Sequence, residues 1–176
     1  VAGAGAQPSD VLMVTCYVSS LENIAASRSL VAADYPRAPV SFVQTQRGPR
    51  EALAACEAVA RLRRKPGAKL RLVNVAGLPE TPGQSQIALV SSPRVVLTGA
   101  QISFGYEEKD ARLAFERLGA TLAQAGAAPA GVALAHYYPL SYRIADQVRK
   151  VRLEFFGAHS PAGAMLPFEN LAAMEA

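Results

Sequence analysis

Residues 125–156 read AGAAPAGVALAHYYPLSYRIADQVRKVRLEFF, and residues 4–35 read AGAQPSDVLMVTCYVSSLENIAASRSLVAADY. A constant offset of about 121 residues lays one on the other without a gap. Ala4, Gly5, Ala6, Pro8, Val11, Tyr17, Ser20 and Arg28 then meet Ala125, Gly126, Ala127, Pro129, Val132, Tyr138, Ser141 and Arg149. Most other pairs exchange one apolar residue for another or one polar residue for another, so the chain carries an internal repeat.

Both copies share a local grammar. The Ala-Gly-Ala segment ends a helix, because Gly adopts the left-handed conformation favoured just past a helix C-terminus. Pro8 or Pro129 keeps the helix from restarting. An alternating stretch follows, Val11, Met13, Thr15 and Tyr17 in one copy and Val132, Leu134, His136 and Tyr138 in the other, which predicts a strand. A second helix comes next, and in the later copy Ile144, Val148, Val151 and Phe155 recur at helical spacing between charged residues. Helix, strand, helix, strand predicts α/β or α+β layering.

Length and composition bound the function. The 176 residues suit one large domain or two small ones, and 51% apolar content supplies a buried core. The net charge of +4 is concentrated at Arg61, Arg63, Arg64, Lys65, Lys69 and Arg71, a run that reads as a solvated segment or as a nucleic-acid contact. No apolar run reaches the roughly 18 residues of a membrane span and no secretory signal is visible, so a soluble, cytoplasmic protein without membrane contact is expected. Cys16 and Cys56 are too few for a disulfide framework or a zinc site and read as buried, inert thiols. Val1 is not an initiator and the first copy opens on the tail of a helix, so an upstream segment is expected.

Between the copies, residues 40–45 and 70–75 read as strands. Residues 51–64 have helical composition but occupy a slot where the repeat calls for a strand. Residues 78–83 form a Pro-rich and Gly-rich seam. Residues 87–90 and 95–98 flank Ser91-Ser92-Pro93-Arg94 and read as a hairpin, and residues 109–124 read as a helix.

This order, with TGAQI after the hairpin, AGAxP at a helix end, a Tyr-bearing strand and a closing EAVA or MEA strand, resembles the RidA (YjgF-like) family of reactive-intermediate deaminases, some of them described as L-PSP endoribonucleases. The resemblance implies an α+β fold of two chorismate-mutase-like units, each a mixed sheet with two helices on one face. The first unit (residues 1–64) is truncated at its N-terminus, residues 65–83 connect, and residues 84–176 make a complete second unit. The resemblance further implies a homotrimer with ligand clefts at interfaces, a small carboxylate ligand and no cofactor.

In the family an arginine in PARxxV grips the substrate carboxylate, because a guanidinium fork makes two parallel charge-assisted bonds. Arg37 matches in Pro36-Arg37-Ala38-Pro39-Val40 with one residue lost, whereas the later copy has Pro161-Ala162-Gly163. The family glutamate that positions water corresponds to Ala55 and Ala173, and Pro39 offers no N–H where a backbone donor is usual. Thr98 and Gly99 carry over from the family's SGQ loop, and Gln101 does so with a one-residue shift. Arg28 and Arg149 stand where the family places a polar cleft residue.

The residues themselves leave alternatives. Arg37 is a carboxylate clamp or a surface arginine beside a turn. Arg28 and Arg149 line an anionic pocket or pair with nearby acids on their helices. His136 reads as a hydrogen-bonded packing residue, His159 as a loop residue with no visible partner, and Tyr17 and Tyr138 as core or interface aromatics. The expected functions are therefore hydrolysis of 2-enamines or 2-imines to 2-keto acids and ammonia, a noncatalytic ligand-sensing or assembly module, or RNA binding or cleavage through the basic run.

Overall fold

β1 (Val11–Val18) is the central strand of a three-stranded sheet in the computed structural model, which describes residues 2–45 and 54–167. It pairs in parallel with β2 (Val40–Gln44), Val14 facing Val40, and antiparallel with β3 (Ala54–Ala60), Cys16 facing Cys56. Helix α1 (Ile24–Asp34) connects β1 to β2, as a parallel pair requires a crossover. Val11, Val14 and Cys16 form a small core against Val31, Tyr35, Val40 and Phe42. The Ala-rich segment now seen as β3 is a strand because pairing with β1 outweighs its helical propensity.

The chain divides into two units, Val1–Lys65 and Pro66–Ala176. In the second, β4 (Leu70–Val73) pairs antiparallel with β5 (Ile87–Val90). Helices α2 (Glu108–Gln124) and α3 (Tyr142–Phe156) pack through Ala111, Phe115, Ile144, Val151 and Phe156, all buried. Each large side chain in that cluster contributes roughly 1.5–3 kcal/mol of burial. Ser141 caps α3 by accepting a hydrogen bond from the Ile144 N–H at 3.2 Å. On the outer side Glu108 pairs with Lys150 and Arg112, and Arg112 also reaches Glu154. The described residues thus form a mixed α+β fold of small sheets with three helices.

The repeat is visible in the backbone. Gly5 and Gly126 both have φ of 71°. A short 3-10 turn follows in each, Pro8–Asp10 and Pro129–Gly131, ending at Val11 (φ −70°) and Val132 (φ −72°). The Val14 N–H then donates to Pro39 O at 3.0 Å, and the equivalent Ala135 N–H donates to Ala162 O at 2.8 Å. Pro39 and Ala162 are therefore counterparts in register, which sets Arg37 against Ser160 and removes Gly163 from the position that the shared PA motif suggests.

Three expectations are corrected. Cys16 and Cys56 are not free thiols: the antiparallel register sets them side by side, Cα atoms 4.1 Å apart, and they form a disulfide. Residues 95–98 do not return as a hairpin strand. β5 takes β4 as its partner instead, the Ser91 N–H continues that ladder to Lys69 O at 2.9 Å, and Pro93 has no N–H to donate to a new one. Residues 132–138 make only the isolated parallel bridges Leu134 to Ala162 and Tyr137 to Met165, short of a continuous strand. The closing MEA segment and Ala173 lie outside the described residues, as do residues 51–53.

Candidate functional site

Arg37 lines an open crevice of about 470 Å³ in the first unit, together with Pro8, Ser9, Ala33, Asp34 and Pro36. Local chemistry builds it. α1 stops at Asp34 because Pro36 cannot continue a helix, and the Ala38 N–H bonds to Tyr35 O at 3.2 Å, turning the chain so that Arg37 sits at the helix end. The opposite wall, Pro8 and Ser9, belongs to the 3-10 turn that enters β1.

Asp10 fixes that wall. Its carboxylate is 1% exposed and accepts from Arg63 Nε, from the Gln7 N–H at 2.9 Å and from Arg61 Nη2 at 3.3 Å. The Arg63 bond, then the Gln7 N–H and Arg61, hold its carboxyl down at about 2, against burial, which pushes it up. Arg63 also donates to Ser9 Oγ at 3.3 Å, so one guanidinium braces both the buried acid and the crevice wall. Arg61 and Arg63 are thereby engaged within the fold, which takes two cations out of the run that suggested a nucleic-acid contact.

The other sequence-predicted residues do not gather at this crevice. Arg28 is exposed on α1, its guanidinium carbon 6.0 Å from the Phe42 ring centroid. Arg149 pairs with Asp146 one turn away on α3. Thr98 and Gly99 are exposed, and Gln101 folds back to donate to Gly99 O at 3.2 Å. None of these five lines either of the two principal crevices. His136 accepts from the Ala164 N–H at 3.3 Å, a packing role, and stacks on Tyr138. His159 does have a partner, Val132 O at 2.6 Å from Nε2. Tyr17 is buried, and its hydroxyl donates to Glu57 at 3.2 Å.

The second unit has its own crevice, also about 470 Å³, whose lining includes Glu80, Pro82, Gly83, Gln84, Ser85 and Ser160. Behind it lies Arg152, only 3% exposed, which the sequence reading did not single out. The signal was present: four residues beyond Val148, Arg152 falls on the apolar stripe of α3, where a cation is out of pattern. Among the described residues no group of three His, Cys, Asp or Glu side chains is placed to hold a metal ion. No helix among them is long and apolar enough to cross a membrane.

The chain matches no protein-family model, no curated protein and no solved structure.

Proposed function

We propose that the protein binds a small carboxylate-bearing metabolite in the first-unit crevice, in the manner of RidA-like proteins, with Arg37 as the carboxylate clamp. The observation that carries this reading is the placement of Arg37 in a crevice whose wall is fixed by Asp10 and Arg63. A guanidinium presented at the rim of a braced pocket grips a carboxylate bidentately without reorganising the wall.

The chemistry proposed for that ligand is hydrolysis of a 2-imino acid. Water adds to the imine carbon, the carbon–nitrogen bond breaks, and a 2-keto acid and ammonia leave. Ala55 offers no acid to orient the water, but Asp34 lines the same crevice and is the only carboxylate among its lining residues. We assign Asp34 the task of orienting water, a general-base contribution of roughly a hundredfold or more. A homotrimer of RidA-like units is part of the same proposal, and light scattering tests it.

Release of 2-keto acid from a freshly generated imino acid should fall about tenfold or more in kcat/KM in Arg37→Ala, mainly through KM. It should fall mainly in kcat in Asp34→Asn. Equal rates in wild type and Arg37→Ala refute the clamp. A second reading, a noncatalytic ligand-binding module, is favoured by Ala55, which pairs with Tyr17 across the sheet and carries no titratable group. Calorimetric binding of a 2-keto acid that Arg37→Ala abolishes, with no turnover in any variant, selects it.

A further inference from the structure

Arg152 is a buried cation with no ion-pair partner among the described residues. Its Nη2 donates to Pro82 O at 2.8 Å, its Nη1 reaches Gln84 Oε1 at 3.5 Å, and its guanidinium carbon stands 5.5 Å from the Tyr137 ring centroid. All three neighbours are neutral. Arg152 Nε has no hydrogen-bond partner among the described residues, and neither has the buried Tyr137 hydroxyl. Of the acids on the two packed helices, Asp146 pairs with Arg149, and Glu108 and Glu154 pair with Arg112. Burial lowers the Arg152 pKa, yet a guanidinium keeps its proton at any physiological pH, so the positive charge stays. A charge held inside a fold without a counter-charge is costly, and an anion that reaches it removes that cost.

The second-unit crevice lies beside this charge. Pro82 and Gln84, the two residues that Arg152 bonds, both line it, and Gly83 stands between them. At Gly83, with φ of +71°, a Cβ would meet Leu153 and lie 3.4 Å from Arg152 Nη2. The glycine therefore leaves the wall between guanidinium and crevice one backbone thick. Ser85 and Ser160 add hydroxyl donors to the lining, and Glu80, its one acid, is exposed.

We propose that this crevice is a receptor for a small oxyanion, a carboxylate or a phosphate, drawn in by the buried guanidinium of Arg152 behind Pro82 and Gln84. The proposal is independent of the Arg37 reading, since it concerns a different unit and a different arginine.

The test is titration of the full chain with inorganic phosphate and, separately, with acetate, at constant ionic strength set by chloride. The Arg152 Nε–H resonance should shift saturably with phosphate, with acetate, or with both, and not with chloride. A shift with phosphate alone identifies a phosphate site, and one with acetate alone a carboxylate site. Arg152→Met, which keeps an unbranched apolar stem without the charge, should weaken binding by calorimetry at least about tenfold. A resonance that moves with neither oxyanion, or that moves equally with chloride, overturns the proposal without need of a variant. Undiminished binding in a folded Arg152→Met overturns it as well.

Discussion

Replacing Gly163 by alanine should unfold the second unit far more readily than an ordinary surface glycine substitution. Gly163 has φ of +149°, a region that L side chains rarely enter, and a Cβ there would fall on the carbonyl oxygen of Ala135. That carbonyl belongs to the parallel run in which the Ala162 N–H donates to Ala133 O at 3.0 Å, Ala135 to Ala162 O at 2.8 Å and Tyr137 to Ala164 O at 2.9 Å. The disfavoured φ costs about 1–3 kcal/mol. Relieving the overlap breaks at least one flanking bond, about 1 kcal/mol more. A loss of roughly 3 kcal/mol is expected, which at a urea m-value of about 1–3 kcal/mol per molar lowers the midpoint by about 1–3 M. Far-UV circular dichroism is the right probe, because the chain has no Trp and the helices of 17 and 15 residues lie in this unit. Gly126→Ala, with φ of +71° and open space around it, is the control and should lose only about 1 kcal/mol. A Gly163→Ala midpoint equal to that of the control refutes the close-approach argument. The same geometry explains why Gly163→Arg would not restore a family-like clamp: the side chain has no room to start.

Two further outcomes concern the first unit. Asp10 has its carboxyl lowered to about 2 from an ordinary 3.8, so it contributes stability that is fully present above that ordinary value and lost as pH falls toward 2. Asp10→Asn should flatten the acid limb of the unfolding profile between those values; an unchanged limb would show that the Arg63 and Arg61 bonds do not hold in solution. The Cys16–Cys56 disulfide closes a loop with a sequence separation of 40, for which the chain-entropy relation gives about 4 kcal/mol. Cys16→Ala with Cys56→Ala should lower the first unit's urea stability by about 2–4 kcal/mol, whereas two titratable thiols in the untreated, denatured protein would exclude the bond.

The helices were legible in the sequence because their stripes are local: Ile144, Val148, Val151 and Phe155 on α3 repeat at helical spacing, and Ile144 and Val151 are buried with Val148 and Phe155 packed against them. What depended on register was not legible. Nothing in the spacing of Cys16 and Cys56 announces a bond; only the β1 to β3 pairing brings them together. The alternation of residues 132–138 is genuine, yet it yields two bridges, with Gly163 O also accepting from the Gln84 side chain. Arg37 is legible through the resemblance of Pro36-Arg37-Ala38-Pro39-Val40 to a PARxxV pattern. Arg152 shows in the sequence only as a cation out of pattern on the apolar stripe of α3, and its burial depends on tertiary packing.

The two arginines occupy opposite electrostatic limits. Arg37 is exposed, so its attraction for an anion is screened by water and by salt over roughly 10 Å, and an occupant of that crevice must draw affinity from other contacts such as Ser9. Arg152 is buried among neutral acceptors, where effective dielectric is lower and each charge contact is stronger. One repeat thus places a guanidinium at a crevice twice by different routes, from the turn after α1 and from the inner face of α3. The register sets Ser160 opposite Arg37, so Arg152 is not the counterpart of Arg37. A ligand common to both crevices would therefore be held weakly and salt-sensitively at Arg37, and tightly and nearly salt-independently at Arg152. Salt dependence, more than affinity alone, separates the two sites.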